Sequence, residues 1–390
     1  MTQIVWMIFG AFLLSVVCGF TFIPVIIRFC LRKGLYDKPN ERKVHTRNIP
    51  RLGGISFLPS MFIATIGVLA VQNKIVSFDG HMLISLWSVY FAVSLLLIYG
   101  VGIVDDLVGL DARSKFVVQI VAASLMPMAG LYINNLYGFC GINELPFWIG
   151  APLTVFVIVF ISNAINLIDG IDGLSAGLSL IALSGFLICF AREGLWIYCT
   201  LIAGLIGVLV PFLYFNIWGD TAKNRKIFMG DSGSLTLGFI LGFLLVKFSM
   251  DNPATMPFRI DSMMLSCSLL VVPVFDVVRV SLVRFVHRSS MFDADKNHIH
   301  HKLMRAGLTQ HQTLVAILAL ALFYIVLNLL LWQVMRMSLL VVCDIVVWLL
   351  WHAALNRAIR ARGLEVYVAP QKPQEPEVVK KKKTRKRRRK

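Results

Sequence analysis

The apolar stretch "IVWMIFGAFLLSVVCGFTFIPVII", residues 4–27, decides the fold class of this chain. A helix of about 20 mostly apolar residues is long enough to cross the hydrocarbon core of a membrane. No basic residue precedes the stretch, and it lacks a small-residue cleavage site. We therefore interpret it as a retained first membrane span and not as a signal peptide.

Segments of the same kind recur along the whole chain, which has 390 residues and is 57% hydrophobic. Soluble proteins are about 45–50% apolar, and the strands of a membrane barrel would alternate polar and apolar residues, which these segments do not. The sequence therefore predicts an all-α, polytopic helical membrane protein with about eleven spans. We place them near residues 4–27, 54–72, 82–104, 116–134, 147–166, 174–191, 195–215, 233–250, 262–283, 313–333 and 337–355.

Lysine and arginine are distributed unevenly between the predicted loops, and cytoplasmic loops normally carry the excess. The first loop is strongly basic, whereas loops of the opposite parity hold little more than Lys74, Arg192, Arg259 and Arg336. This bias places the amino terminus outside and, because the number of spans is odd, the carboxyl terminus inside. The loops with unusual polar residues then all face the cytoplasm. We expect a multi-pass protein of the inner (cytoplasmic) membrane.

The end of the chain differs in composition from the rest. We predict a membrane domain at residues 1–356, followed at residues 357–390 by a cytoplasmic linker and a disordered basic tail. The final "KKKKTRKRRRK" is basic throughout except for Thr384. It is interpreted either as a solvated tail that helps to set the topology or as a binding surface for anionic membrane lipids. No nucleic-acid partner is expected, because no folded domain accompanies the tail.

Carboxylates collect at the predicted cytoplasmic ends of the spans. In "VGIVDDLVGLD", Asp105 and Asp106 end the third span, and two adjacent carboxylates repel each other unless a divalent cation or a shared proton relieves the repulsion. The alternative for this pair is plain solvation at the membrane interface. In "NAINLIDGIDGLSAG", Asp169 and Asp172 would share one helical face with Asn166.

A further carboxylate, Asp231 in "FMGDSGS", stands where the eighth span begins. Taken alone, this turn is typical of a simple helix N-cap. Beside the other carboxylates it indicates a cation site, and oxygen ligands in this number suit Mg²⁺, with Mn²⁺ as an alternative.

Three histidines cluster in "NHIHHKLM", residues 297–304, namely His298, His300 and His301. A structural zinc site is the less favoured interpretation, because H-x-H-H lacks the i, i+4 spacing of helical zinc sites and no cysteine lies nearby. We favour a phosphate clamp, since imidazole N–H groups can donate to phosphate oxygens and the ring can change its charge near neutral pH.

Three features together indicate phosphoryl transfer. Carboxylates can hold a cation, basic groups can neutralise the transferred phosphate, and glycine-rich turns allow the backbone to approach a ligand closely. No Walker A sequence is present, so a P-loop ATPase is excluded.

Five segments in this order resemble the polyprenyl-phosphate N-acetylhexosamine-1-phosphate transferases, a part of glycosyltransferase family 4. They are "RKVHTRNIPRLGG", "VDDLVGLDARSK", "NAINLIDGIDGLSAG", "KIFMGDSGSLTLGF" and "HIHHKLMRAG". The resemblance runs from about residue 30 to 310. The histidine motif is similar to that of the branch that uses UDP-GlcNAc, whereas the muramoyl-pentapeptide branch carries three consecutive histidines.

The resemblance implies that undecaprenyl phosphate attacks the β-phosphate of a UDP-N-acetylhexosamine and that UMP leaves. It implies Mg²⁺ at Asp231 and Asn166. It implies catalytic roles for Asp105, Asp106, Asp169, Asp172, His298, His300 and His301, and substrate contacts by Arg47, Arg51, Asn216 and Phe228. Asn224 is an alternative to Asn216, because "IWGDTAKNRKI" is a few residues longer than the family pattern.

Two hypotheses of other classes stand beside the transferase. A proton-coupled transporter would place its acidic residues near the middle of the bilayer, often within repeated halves. A non-catalytic lipid-binding scaffold would need the basic surface but not four carboxylate motifs. The sequence also leaves the muramoyl-pentapeptide donor and a homodimer open.

Overall fold

The computed structural model describes residues 2–37, 49–75, 86–289 and 296–369. The predicted substrate contact Arg47 and the basic tail lie outside these residues. Thirteen helices are described: α1 (Thr2–Lys33), α2 (Phe57–Ile75), α3 (Leu86–Val108), α4 (Ala112–Met128), α5 (Phe147–Ile168), α6 (Leu174–Arg192), α7 (Trp196–Ile217), α8 (Asp231–Ser249), α9 (Ser262–Ser268), α10 (Val271–Val286), α11 (Ile299–Arg305), α12 (Gln310–Leu331) and α13 (Met337–Ala361).

Nine helices in the described residues are long and apolar enough to cross a membrane, which confirms the all-α membrane fold, and the two other predicted spans correspond to shorter helices. The fourth predicted span is α4, which has only 17 residues and ends before Gly130 at a φ of +81°. The ninth is divided into α9 and α10. Pro273 lies in the first turn of α10, and its ring would collide with the carbonyl of Leu269 in a continuous helix.

At both places the chain still passes from one end of the helix assembly to the other. The first turn of α4 reaches the end of α3 through Lys115 and Asp105, whereas Ile133, after α4, donates to Thr154 in the first half of α5. In the same way, α9 begins beside Asp261, which pairs with Arg192 at the end of α6. The alternating path predicted from the sequence is therefore kept, although two passages are made by shorter helices.

Helix α8 is the centre of the helix assembly, and every residue from Ser232 to Ser249 is buried. Its glycines allow neighbouring backbones to approach closely. A Cβ atom added to Gly238 would lie 2.6 Å from the Cα atom of Ser162 in α5, and one added to Gly102 in α3 would lie 2.5 Å from the Cα atom of Ser232. Small residues permit this kind of packing between membrane helices. The packing places the N-terminus of α8 between the ends of α3 and α5.

Two short hairpins complete the fold. Strands β1 (Tyr36–Asp37) and β2 (Ile49–Pro50) pair antiparallel, as do β3 (Asn135–Phe139) and β4 (Ile142–Glu144). After β2 the backbone N–H groups of Gly53 and Gly54 donate to the carbonyls of Phe228 and Met229 at 2.9 and 2.8 Å. These bonds attach the first loop to the segment that leads into α8.

Candidate active site

A carboxylate from α3 caps the N-terminus of α8. The backbone N–H groups of Asp231 and Ser232 donate to the two side-chain oxygens of Asp106 at 2.9 and 3.0 Å. The first N–H groups of a helix lack partners within the helix and carry partial positive charge, so a buried carboxylate stabilises them. Asp106 therefore holds the start of α8 in place, and its predicted catalytic role remains a prediction.

The other member of the pair, Asp105, points towards Asp231. The ammonium of Lys115 lies between them, 3.0 Å from an oxygen of Asp105 and 2.8 Å from an oxygen of Asp231. The second oxygen of Asp105 accepts from the backbone N–H of Leu110 at 2.6 Å. Lys115 was not predicted as a site residue from the sequence, although a single lysine beside a carboxylate pair at the start of an apolar helix was a usable signal.

Asn166 completes this carboxylate cluster, which comprises Asp105, Asp106, Asp231, Lys115 and Asn166. Its amide nitrogen lies 3.1 Å from the second side-chain oxygen of Asp231 and 2.9 Å from the hydroxyl of Ser234. The two residues that the resemblance places at Mg²⁺ are thus direct neighbours at the beginning of α8.

The donor set fits a hard divalent cation. Two carboxylates already converge on one positive charge, the ammonium of Lys115, and the amide oxygen of Asn166 is a further donor after rotation of the side chain. Among the described residues, however, no three Asp, Glu, His or Cys side chains form a ready-made cage for a metal. Mg²⁺ commonly keeps several water molecules and binds through one or two carboxylates together with substrate phosphates, so an incomplete protein cage is compatible with this cation.

The segment "NLIDGIDG" leaves the helix at Ile168, two residues beyond the predicted end of the fifth span at residue 166. Helix α5 ends at Ile168 and α6 begins only after Gly173, whose φ is +77°, so Asp169 and Asp172 do not share a helical face with Asn166. Burial, followed by the negative charge of Asp231, raises the pKa of Asp169 to about 8. Its buried position and the neighbouring carboxylates therefore favour the protonated form of this carboxyl group.

Asp172 and Asn216 connect this turn to the segment before α8. An oxygen of Asp172 accepts from the ammonium of Lys226 at 2.7 Å. The buried amide of Asn216 accepts from the N–H of Gly173 at 2.6 Å and donates to the carbonyl of Ile227 at 2.9 Å. Both polar ends of Asn216 are thus occupied by backbone, and the predicted contact with uracil would require one of these bonds to be exchanged.

The remaining predicted substrate contacts stand at the edge of the cluster. Arg51 donates to the backbone carbonyl of Asp106, and the ring of Phe228 is half-buried while its backbone N–H donates to the carbonyl of Pro50 at 2.7 Å. Both residues lie beside the start of α8. Their roles towards substrate remain predictions.

The histidine segment, defined as residues 296–306, lies against the turn that follows α5. The buried ring of His300 contacts Gly170. The centroids of the His300 and His301 rings lie 4.1 Å apart. Both ring nitrogens of His300 are buried without a hydrogen-bond partner in the part of the chain that the structure describes. Burial, and then the neighbouring His301, lowers the pKa of His300 well below its ordinary value. The burial of His300 therefore favours its neutral form, and the predicted role of the three histidines as donors to phosphate remains a prediction.

Gly170 is the position where this contact can be tested. A Cβ atom at residue 170 would overlap the Nε2 atom of His300, whose ring is enclosed and cannot easily move away. We expect Gly170→Ala to displace His300 and to lower the transfer rate by about tenfold or more, because small misplacements of active-site groups are costly. Gly100→Ala is the matched control, since a Cβ atom there meets nothing within 4 Å. Unchanged UMP release by Gly170→Ala would show that the contact does not matter for turnover.

The sequence also missed Asp276, a fully buried residue of α10 that organises the histidine segment. One of its oxygens lies 2.8 Å from the Nδ1 atom of His298, and the other accepts from the backbone N–H of Ile299 at 2.9 Å and from Arg279 at 2.8 Å. Because a carboxylate can only accept, the Nδ1–H of His298 donates to it and Nε2 is the nitrogen left for a ligand. A lone acid inside an apolar predicted span was the available signal.

Comparison with known proteins agrees with this arrangement. The model of the family described as "Glycosyl transferase family 4" matches residues 86–249. A "Probable undecaprenyl-phosphate N-acetylglucosaminyl 1-phosphate transferase" of Bacillus subtilis (strain 168) is 32% identical over 320 residues, which cover 79% of this chain and 80% of the relative. The chain belongs to glycosyl transferase family 4.

Two further relatives of this family are named "Undecaprenyl-phosphate alpha-N-acetylglucosaminyl 1-phosphate transferase". The protein of Yersinia pestis is 31% identical over 300 residues, with 76% of both chains covered. The protein of Escherichia coli (strain K12) is 32% identical over 291 residues, with 73% of both chains covered.

The part that matches the glycosyl transferase family 4 model includes the whole carboxylate cluster but not the histidine segment. Its residues 86–249 run from the start of α3 to the end of α8. The histidine segment comes later in the chain and reaches the same end of the molecule through the contact between His300 and Gly170. In this member of the family, therefore, tertiary packing joins the two halves of the candidate site.

Proposed function

We propose that the chain transfers N-acetylglucosamine 1-phosphate from UDP-GlcNAc to undecaprenyl phosphate, as the first membrane step in the synthesis of a cell-envelope polysaccharide. An oxygen of the lipid phosphate attacks the β-phosphorus of the donor. The bond from the β-phosphorus to the bridging oxygen breaks, and its electron pair leaves with UMP. The names of three relatives support the acceptor and the transferred group.

The observation that carries this proposal is the convergence of Asp105, Asp231 and Asn166 on the N-terminus of α8, beside Lys115. We propose that these oxygens hold Mg²⁺, or alternatively Mn²⁺. When bound, the cation would offset part of the negative charge of the donor and of the lipid phosphate. Lys115 would then be released to neutralise phosphate oxygens directly.

The side chains do not need to supply a strong base. The second pKa of a phosphate monoester is about 6, so the lipid phosphate is already mostly dianionic at neutral pH. The larger barrier is the approach of two anions. We propose that Lys115, Lys226 and the histidine segment lower it by electrostatic stabilisation.

The proposal includes an orientation in the cytoplasmic membrane. The end of the molecule with the carboxylate cluster would face the cytoplasm, where UDP-sugars are available, and the amino terminus would lie outside. The bias of basic residues towards the first loop supports this orientation. The proposed homodimer has no further support from the described residues and stays a prediction.

One experiment tests the reaction. The purified protein is incubated with undecaprenyl phosphate and UDP-GlcNAc, with Mg²⁺ or with a chelator, and UMP and lipid-linked sugar are measured. We expect both products with Mg²⁺ and neither after chelation. Absence of UMP under all conditions would reject the transferase and return attention to the transporter or the scaffold.

The donor can be tested in the same assay. We expect UDP-GlcNAc to be used, and we expect the rate with UDP-MurNAc-pentapeptide to be lower by a factor of about 100 or more. The reason is that a large charged peptide would have to fit beside the basic histidine segment. Discrimination between epimers such as UDP-GalNAc is left open, since it requires a dedicated hydrogen bond. Comparable rates with the pentapeptide donor would overturn the donor assignment but not the reaction type.

A further inference from the structure

After α13 the chain turns back and lies along the histidine segment. We call residues 362–369 the C-terminal strap. Helix α13 ends at Ala361, beyond the predicted end of the last span at residue 355, and the strap follows it directly. The strap contacts residues that precede and residues that follow the stretch 290–295, and it contacts the histidine segment near both of its ends.

The first contact is a two-point clamp by Asn297, which directly precedes His298. The amide nitrogen of Asn297 donates to the carbonyl of Val368 at 2.8 Å, and its amide oxygen accepts from the N–H of Val368 at 3.0 Å. A side-chain amide thereby pairs with the strap as a neighbouring β-strand would. Asn297 is buried, so this pairing is shielded from water.

The second contact is made by Tyr367. Its ring stacks on the ring of His287, with centroids 3.8 Å apart and planes at 17°, and its hydroxyl lies 3.2 Å from the hydroxyl of Ser289. His287 and Ser289 follow the end of α10. The strap therefore connects α10 to the histidine segment.

The third contact involves two arginines. One nitrogen of Arg305 donates to the carbonyl of Glu365 at 3.2 Å and another donates to the carbonyl of Lys296 at 3.0 Å. Arg362 donates to the carbonyl of Ala306 at 3.0 Å. Lys296, the first residue of the histidine segment, is thus linked to the strap through Arg305. Ala306, the last residue, is bonded directly to Arg362 of the strap.

We propose that the C-terminal strap is a positioning element for the transfer reaction, which holds the histidine segment in the conformation that receives the phosphates of the donor. A binding segment that is ordered in advance loses less conformational entropy when its ligand binds. Among the described residues, the contacts of the strap given above fall on the end of α10 and on the histidine segment, which we propose to face the phosphates of the donor, so we expect the strap to act on donor binding. This inference rests on the proposed function of the histidine segment.

Two truncations form the principal test. A chain that ends at Gln371 keeps the strap and loses residues 372–390, whereas a chain that ends at Gly363 also loses residues 364–369, the part of the strap that contacts Asn297, His287 and Arg305. We expect the first to keep nearly full kcat/KM. We expect the second to lose kcat/KM for UDP-GlcNAc by about tenfold, chiefly through a higher donor KM, while the KM for undecaprenyl phosphate is unchanged.

Point variants separate the strap from the chain end. Tyr367→Phe keeps the ring on His287 and should behave as the unaltered protein, whereas Tyr367→Ala should raise the donor KM. Leu364→Ala, in an exposed residue of the same strap, is the matched control. Recovery with phenylalanine but not with alanine would support the stacking contact.

Hydrogen exchange of residues 297–306 in the absence of substrate gives a readout that does not depend on the reaction. We expect faster exchange in the chain that ends at Gly363 than in the one that ends at Gln371. Equal exchange, equal donor KM, or an equal rise in both KM values would overturn the positioning role. A full-length chain that is inactive with UDP-GlcNAc would instead reject the proposed function, and the exchange measurement would still decide the role of the strap.

Discussion

Asp231→Asn should abolish measurable turnover, with a loss of about 100-fold or more, while the protein stays folded and inserted. Asp231 shares the ammonium of Lys115 with Asp105 and contacts Asn166, so it is the residue on which the carboxylate cluster converges. An amide has nearly the same shape and can still begin α8. It lacks the charge that would hold a divalent cation opposite two anionic substrates.

The control for this variant is Asp220→Asn, which removes a charge from an exposed residue in the loop between α7 and α8. Asp220 pairs only loosely with Lys223, at 4.0 Å, so the change should leave turnover unaltered. UMP release is measured over a titration of Mg²⁺. Near-normal activity of Asp231→Asn at low millimolar Mg²⁺ would refute the metal assignment.

Asp276→Asn should produce the second large loss, about 10- to 100-fold in kcat/KM for the donor, as is common when a carboxylate that orients a histidine is replaced. Asp276 is fully buried and is shared by His298, Ile299 and Arg279. An amide can accept through one atom only. One of these partners therefore loses its bond, and the guanidinium of Arg279 remains without its buried counter-charge.

Asp344→Asn is the matched control, because Asp344 is also a buried aspartate in the second half of the chain. It accepts from Asn328 in α12 at 3.0 Å and does not contact the histidine segment. The kinetics are measured for donor and acceptor separately. If Asp276→Asn lowered only thermal stability and left the donor kcat/KM intact, Asp276 would be a structural residue and not a positioning one.

The sequence by itself was sufficient for the fold class, and it pointed to several residues that the structure brings together at the candidate site. Hydropathy is a local property, so the nine helices of the described residues that are long and apolar enough to cross a membrane could be located from composition and length. The start of α8 at Asp231 and the α5–α6 turn at Gly170 and Gly173 also follow from local signals. The resemblance then assigned roles to residues that already stood out as charged groups at helix ends.

The partners of these residues depend on contacts between distant parts of the chain. Lys115 lies 116 residues from Asp231, and Asn297 lies 71 residues from Val368, so no local pattern connects them. The direction of Asp106 into α8, the support of His298 by Asp276 and the docking of the strap are of the same kind. Each of these contacts arises from the packing of helices and cannot be inferred from a short stretch of sequence.

The sequence could not show that α8 is buried within the protein, and the physical reason is a different one. Lipid tails are as apolar as a protein interior, so an apolar helix that faces lipid and one that is enclosed by protein have similar sequences. Among the candidate spans in the described residues, α8 differs by its complete burial, to which the close approach of α3 and α5 at Gly102 and Gly238 contributes. Hydropathy therefore determined that this helix spans the membrane, and tertiary packing decided that it stands at the centre with Asp231 at its tip.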